Sequence, residues 1–237
     1  MNQAVRVEFE PAYILHVRPY RETSLILEIF TPGYGRVGLV ARGARRPKSP
    51  LRGILNPFQP LRLSWIGAGE LATLVQAEQG GVSAGLRGDA VMAGFYVHEL
   101  LLKLLQRHDP HPHLFGHYAT MLASMAEGQL VEKLLRVFEL ELLREIGYAL
   151  SLDCDALKHE VLRPQQLYVF RPEQGAVPAE HGEEPCFSGA ELLAIGRLEL
   201  DDANCLRNAK RLLRHVVDYH LGGKLLQTRR VAGAMKR

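Results

Sequence analysis

What this 237-residue chain lacks narrows its chemistry before any motif is weighed. No apolar run approaches the roughly 20 residues that cross a bilayer as a helix. The opening residues, MNQAVRVEFEPAY, show no basic segment leading into an apolar one, so neither a membrane span nor a secretory leader is expected. Cysteine is scarce. Cys154, Cys186 and Cys205 are odd in number, widely spaced and never in a CxxC pair, which excludes a disulfide framework and fits a reducing cytoplasm. No GxSxG occurs, and His98-Glu99 does not continue into HExxH because position 102 is Leu, so no local nucleophile or zinc-protease signature is legible. The most pointed absence is of negative charge. Between Glu28 and Glu70 there is no Asp or Glu, while Arg36, Arg42, Arg45, Arg46, Lys48, Arg52 and Arg62 all fall there.

That excess is local. The formal net charge is only +3; residues 1–80 carry ten Lys and Arg against six Asp and Glu, and the rest nineteen against twenty. Cations this dense repel one another unless solvent, salt or an anionic partner screens them. A solvated loop is the plain reading of any charge run. Here arginine outnumbers lysine, and guanidinium forks match phosphate oxygens. Glycine and proline expose backbone N–H groups and stiffen the path. These features favour nucleic acid as the partner.

The hydrophobic pattern supplies a host. Ala12–Val17, Ser24–Phe30 and Arg36–Ala41 read as short strands, and Pro60–Ile66 with Glu70–Ala77 as a hairpin turned at Gly67-Ala68-Gly69. Five strands suggest a small barrel, a fold whose grooves bind single strands by charge plus stacking. Tyr20, Tyr34, Phe58 and Trp65 are the available stacking platforms. After Gly80-Gly81 the period becomes helical. Asp89–Gln106 predicts a buried helix, Leu114 to Met125 a second, and Leu130 to Ile146 a third ended by Gly147. Residues 150–187, with four prolines, read as irregular. Ser188-Gly189-Ala190-Glu191 reads as a capping box, Leu206 to His220 as a last helix, and the tail with Lys224, Arg229, Arg230, Lys236 and Arg237 as loose.

Three further patterns have ordinary explanations. Gly33–Gly38, GYGRVG, matches GxGxxG, but the β-like VGLVARG that follows offers no helix N-terminus to a pyrophosphate, so a glycine-rich turn is the better reading. His108, His111, His113 and His117 cluster near Pro110 and Pro112 without a completing ligand set, so solvated histidines are expected. Cys154 and Cys186, with His159 and His181 nearby, make a thin case for zinc against isolated thiols.

The order of these pieces resembles the RecO family of bacterial recombination mediators. The resemblance is carried by RPYRETSLILEIFT (18–31), GRVGLVARGARRPKSPLRGILNPFQPL (35–61), GELATLVQAE (69–78), GFYVHELLLKLL (94–105), LLRVFELELLREIGY (134–148) and YHLGGKLLQTRR (219–230). It implies an α+β chain with a five-stranded OB-fold barrel at 1–80 and a helical domain at 81–237, the latter with an irregular insertion at about 150–187. It implies a non-enzymatic, cytoplasmic protein that joins the nucleoid during repair, binds single- and double-stranded DNA, anneals complementary strands and helps load the recombinase on DNA coated with single-strand binding protein. RecR and the acidic C-terminal tail of single-strand binding protein are the implied partners, with Arg136 the candidate for the tail's charge. Many members carry a four-cysteine zinc site in the region of 150–187. This chain has only Cys154 and Cys186 there, so no metal or other cofactor is expected. The candidate nucleic-acid residues are Arg36, Arg42, Arg45, Arg46, Lys48, Arg52 and Arg62. The alternatives are an RNA-binding OB-fold protein and a metal-dependent nuclease.

Overall fold

The computed structural model describes residues 5–67 and 69–235; Ala68 of the expected turn and Lys236 and Arg237 of the tail lie outside them. The chain forms two compact units, one of residues 1–129 with 226–237 and one of residues 130–225.

The first unit is built on a closed barrel of β1 (Val5–Tyr20), β2 (Ser24–Thr31), β3 (Gly35–Ala41), β4 (Leu61–Gly67) and β5 (Ala72–Gln79), in the order β1-β2-β3-β5-β4. β1 is long because it serves two neighbours. Its first half pairs with β4 and its second half with β2, and register shifts at Val7/Glu10 and Ile14/His16 mark where it bends. Inside sit Ile14, Leu27, Ile29, Leu39, Leu63 and Trp65, each worth about 1.5–3 kcal/mol of burial. β3 meets β5 in a short parallel pairing of Leu39 with Ala72 and Val40 with Thr73.

Part of the barrel's outer surface is covered by helices, which is why β2 and β3 are nearly apolar throughout. α1 is Asp89–Leu104 and α2 is Pro112–Ala126. Tyr13 and Phe30 pack on Phe115 and Tyr118 of α2, with centroids 4.9 to 6.4 Å apart. The tail is not loose. Gln227–Met235 forms a helix, called α6, that packs on α1. Glu99 of α1 caps it, accepting from the amides of Gln227 and Thr228 at 2.8 and 3.0 Å and from the Thr228 hydroxyl at 2.8 Å. Burial works against ionisation of Glu99, but these donors and Lys103 hold its pKa below the usual carboxylate value.

The second unit contains α3 (Val131–Glu145), α4 (Gly189–Gly196) and α5 (Ala203–His220), with α3 and α4 both packed on α5. Ser188 and Glu191 form the expected capping box on α4, and Asp202 caps α5. The 150–187 segment is more ordered than its prolines suggest: β6 (Leu167–Arg171), β7 (Gly175–Pro178) and β8 (Cys186–Ser188) make a three-stranded sheet. Its prolines delimit strands instead of breaking them, Pro172 lying in the β6–β7 turn, Pro178 at the end of β7 and Pro185 just before β8. No helix among the described residues is long and apolar enough to cross a membrane.

Candidate nucleic-acid interface

The basic segment is the connection between β3 and β4, and it is an ordered loop. The Arg46 amide donates to the Gly43 carbonyl and the Ser49 amide to that of Arg46, each at 3.0 Å, and Ser49 then caps a short 3-10 turn over Pro50–Gly53. Arg45 ties the loop to the β1–β2 turn, its amide 2.8 Å from the Thr23 carbonyl and its Nη1 3.3 Å from that of Arg21. At the other end Phe58 is buried against α1, its ring 4.9 Å from Phe95 and 4.7 Å from His98. His98 is itself buried, with Nε2 2.6 Å from the Tyr118 hydroxyl, and burial drives its pKa down to about 3. A neutral histidine therefore anchors the ring that anchors the loop.

The cations of this loop, Arg42, Arg45, Arg46, Lys48 and Arg52, and Arg62 on β4 are all exposed, and none makes an ion pair among the described residues. Arg42 and Arg46 line a groove of about 870 Å³ together with the β1–β2 turn, through Tyr20, Arg21, Glu22 and Thr23, and the start of β5, through Leu71 and Thr73. Arg21 lies over the Tyr20 ring, 5.1 Å from its centroid. A groove between the first turn and the last hairpin is where OB barrels receive oligonucleotides. Sequence reasoning passed over Tyr20 with Arg21 as a pair. The signal was available in RPYRET, a turn between two strands of an expected barrel.

Five expected site residues fall elsewhere. Arg36 does not face a ligand: its Nη1 takes the carbonyls of Leu102 and, at 2.8 Å, Leu105, capping the C-terminal end of α1, while its Nη2 lies 3.7 Å from Glu28. Burial lowers its pKa and Glu28 opposes that shift. Trp65 is 3% exposed and Phe58 9%, so both are core and not stacking platforms. Tyr34 is exposed but sits edge-on to Trp65 at 5.4 Å, outside the groove's lining. Arg136 of α3 is 5% exposed and paired with Glu139 at 3.0 Å, because that face of α3 turns into its unit's core. It is not presented to an incoming carboxylate.

The other patterns resolve locally. Gly35 and Gly38 are close-approach glycines, not a phosphate cradle: a Cβ would lie 2.0 Å from the Asp109 carbonyl oxygen at Gly35 and 2.5 Å from that of Glu70 at Gly38. His111 is buried beside Asp109 at 3.3 Å instead of solvated, whereas His113 and His117 are exposed. Cys154 Sγ lies 3.3 Å from the Ser151 hydroxyl. Among the described residues no three His, Cys, Asp or Glu side chains come together as metal ligands, so the residues present do not fit a four-cysteine zinc centre. The loop there closes on Asp155, which is buried and accepts from the amides of Leu157 and Lys158 at 2.8 and 3.2 Å.

Comparison with known proteins covers nearly the whole chain. Residues 7–80 match the family model described as the N-terminal part of recombination protein O, and residues 86–229 match that of its C-terminal part. The chain is 46% identical over 233 residues to a protein named DNA repair protein RecO from Aromatoleum aromaticum, covering 98% of this chain and 97% of the relative. It is 46% identical over 224 residues to the one from Methylococcus capsulatus, covering 94% and 92%, and 45% identical over 237 residues to the one from Dechloromonas aromatica, covering 98% and 97%.

Proposed function

The chain belongs to the recombination protein O family, and on that premise we propose that its barrel groove binds DNA backbone and promotes pairing of complementary strands in recombinational repair. A role in DNA repair and recombination comes with the family. The mechanism is supported by one observation above all: five exposed cations without ion-pair partners among the described residues lie on a loop that is pinned at both ends and lines a groove, and Arg62 on β4 is a sixth.

Such a surface lowers the barrier to annealing by electrostatics alone. Two strands repel through their phosphates, and guanidinium groups that neutralise one strand reduce what the second must overcome. No bond is made or broken by the protein, and no nucleotide hydrolysis is required. Arg42 and Arg46 with Arg21 meet phosphates in the groove; Arg45, Lys48 and Arg52 extend the track along the loop. Tyr20, already under a guanidinium, offers the one aromatic face at the groove. Nothing in this set reads base edges, so binding is indifferent to sequence.

We extend the proposal to the partners that the family implies, RecR and the acidic tail of single-strand binding protein, and to assistance in loading the recombinase. Arg136 is withdrawn as the tail's charge partner for the reason given above. The test is annealing of complementary oligonucleotides precoated with single-strand binding protein, with and without its tail, alongside single-strand affinity across salt. With about five phosphates contacted, log affinity falls against log salt with a slope near −3 to −4. A slope near zero, or annealing no faster than without protein, would refute the reading. Preference for RNA over DNA of equal sequence would move it to the RNA-binding alternative.

A further inference from the structure

The groove wall at the start of β5 is also held from outside the barrel. Inside the barrel, β4 holds it through the Ile66–Thr73 and Trp65–Leu74 pairings, while on the other side β3 and β5 share only the Leu39–Ala72 and Val40–Thr73 pairings. The connection between α1 and α2 holds the residues just before β5. Arg107 donates from Nη1 to the Glu70 carbonyl at 2.6 Å, while its Nη2 pairs with the Glu28 carboxylate on β2. His108, held at a φ of +60°, places its ring Nε2 3.1 Å from the Gly69 carbonyl. Its own amide donates to the Arg36 carbonyl on β3 at 3.0 Å. The close approach at Gly38 belongs to this arrangement too, because a Cβ there would lie 2.8 Å from Arg107 Nη1 as well as against Glu70. Two adjacent carbonyls of the β4–β5 connection are thus gripped by two adjacent side chains, and those side chains are anchored on β2 and β3.

We infer that Arg107 is a positioning residue for the DNA groove, acting with His108 to fix the β4–β5 connection so that Leu71 and Thr73 line the groove together with Arg21, Arg42 and Arg46. The inference rests on the DNA-binding reading above. It assigns Arg107 no phosphate contact, because its guanidinium already holds a carbonyl and a carboxylate. This separates it from the loop arginines by a measurable sign. Losing a phosphate contact weakens binding and flattens the salt dependence together, whereas losing a positioning group weakens binding at unchanged slope.

The experiment uses the full-length chain with Arg107→Ala, Arg107→Lys and His108→Ala. It measures affinity for a single-stranded oligonucleotide across salt and hydrogen exchange of the Glu70, Leu71 and Ala72 amides. Arg107→Ala is expected to lose about five- to tenfold in affinity, on the scale of one or two hydrogen bonds, with a slope within about 0.3 of the parent and faster exchange at those amides. Arg107→Lys, which can hold one partner but not both, is expected to fall between. His108→Ala disturbs only the Gly69 contact and covers the case in which Arg107→Ala does not fold; a loss of about twofold with the same slope is expected. A slope flattened by about 0.7 would make Arg107 a phosphate ligand, and faster exchange at unchanged affinity would make the clamp merely structural; either overturns the inference, as does unchanged exchange. If the parent protein itself shows no salt-dependent binding, the DNA reading fails, and the exchange data still report on the clamp.

Discussion

The β3–β4 loop of the first unit and helix α5 of the second are both strongly cationic, yet they use their charge differently. α5 presents Arg207, Lys210, Arg211 and Arg214 within two turns, and three of them meet carboxylates: Lys210 with Glu132 at 2.7 Å, Arg211 with Glu184 at 3.1 Å and Arg214 with Asp218 at 3.7 Å. The loop cations meet none among the described residues. The same contrast holds for whole units. The first carries seventeen Lys and Arg against ten Asp and Glu, and the second twelve against sixteen. Exposed ion pairs contribute little to stability, about 0–1 kcal/mol each, but they do cancel a field. Density of basic residues along a chain therefore does not mark a polyanion site; density without compensation does.

The largest way to separate the two units is acid. The unfolded chain binds a proton on His98 below about pH 6.5, whereas in the folded first unit the imidazole stays neutral down to about 3. Between those values the unfolded state binds more protons, so stability falls as pH falls. A loss on the order of 3 kcal/mol is expected between pH 7.5 and 4.5. Urea unfolding at both pH values, followed by Trp65 fluorescence, which reports only the first unit, checks this. In His98→Asn the pH-dependent loss should shrink, and an equal loss in parent and variant would sink the assignment.

Next in size is the test of compensation itself. Replacing Arg42, Arg45 and Arg46 by alanine should flatten the single-strand salt slope by about 2 and weaken binding about 30-fold at moderate salt. The matched change on α5, Lys210, Arg211 and Arg214 to alanine, should leave the slope within about 0.5 of the parent. If the two triple variants behave alike, unpaired charge is not the discriminating feature and the contrast between the units carries no functional meaning.

Much of this was legible in the sequence, and the misses have physical causes. The barrel strands and five of the helices could be read because local periodicity, a capping box and turn residues set them. β1 was read only from Ala12 to Val17, although VRVEFE alternates: the strand bends at Phe9, whose φ is +51°, and carries on past Pro11. α6 was read as loose because its cap comes from Glu99, 128 residues away from Gln227. The basic loop was found by counting, but counting could not tell that Arg36 belongs to α1's carbonyls and Glu28. Nor could it tell that Arg136 faces a core. In both cases the partner that decides the role lies on an element whose placement only the fold determines. Arg21 was passed over, and Tyr20 named only as one of four stacking platforms, for the opposite reason: a turn residue is unremarkable until the fold puts it in one groove with Arg42 and Arg46.

The smallest expected effect sharpens the comparison from inside the groove. Glu22 is the single carboxylate among its lining residues, and it makes no ion pair among the described residues. If the groove cations act by neutralising phosphates, this carboxylate opposes them from the same lining, screened by water and salt. Glu22→Gln keeps the side chain's size and removes only the charge. Affinity for single strands should rise about two- to threefold, on the order of 0.5 kcal/mol as for other exposed charge interactions, and the gain should vanish at high salt as screening removes the repulsion. A gain that persists at high salt would point to a contact and not a field. A loss would mean that Glu22 accepts a hydrogen bond from a base, which would give the groove a sequence preference that its arginines alone cannot supply.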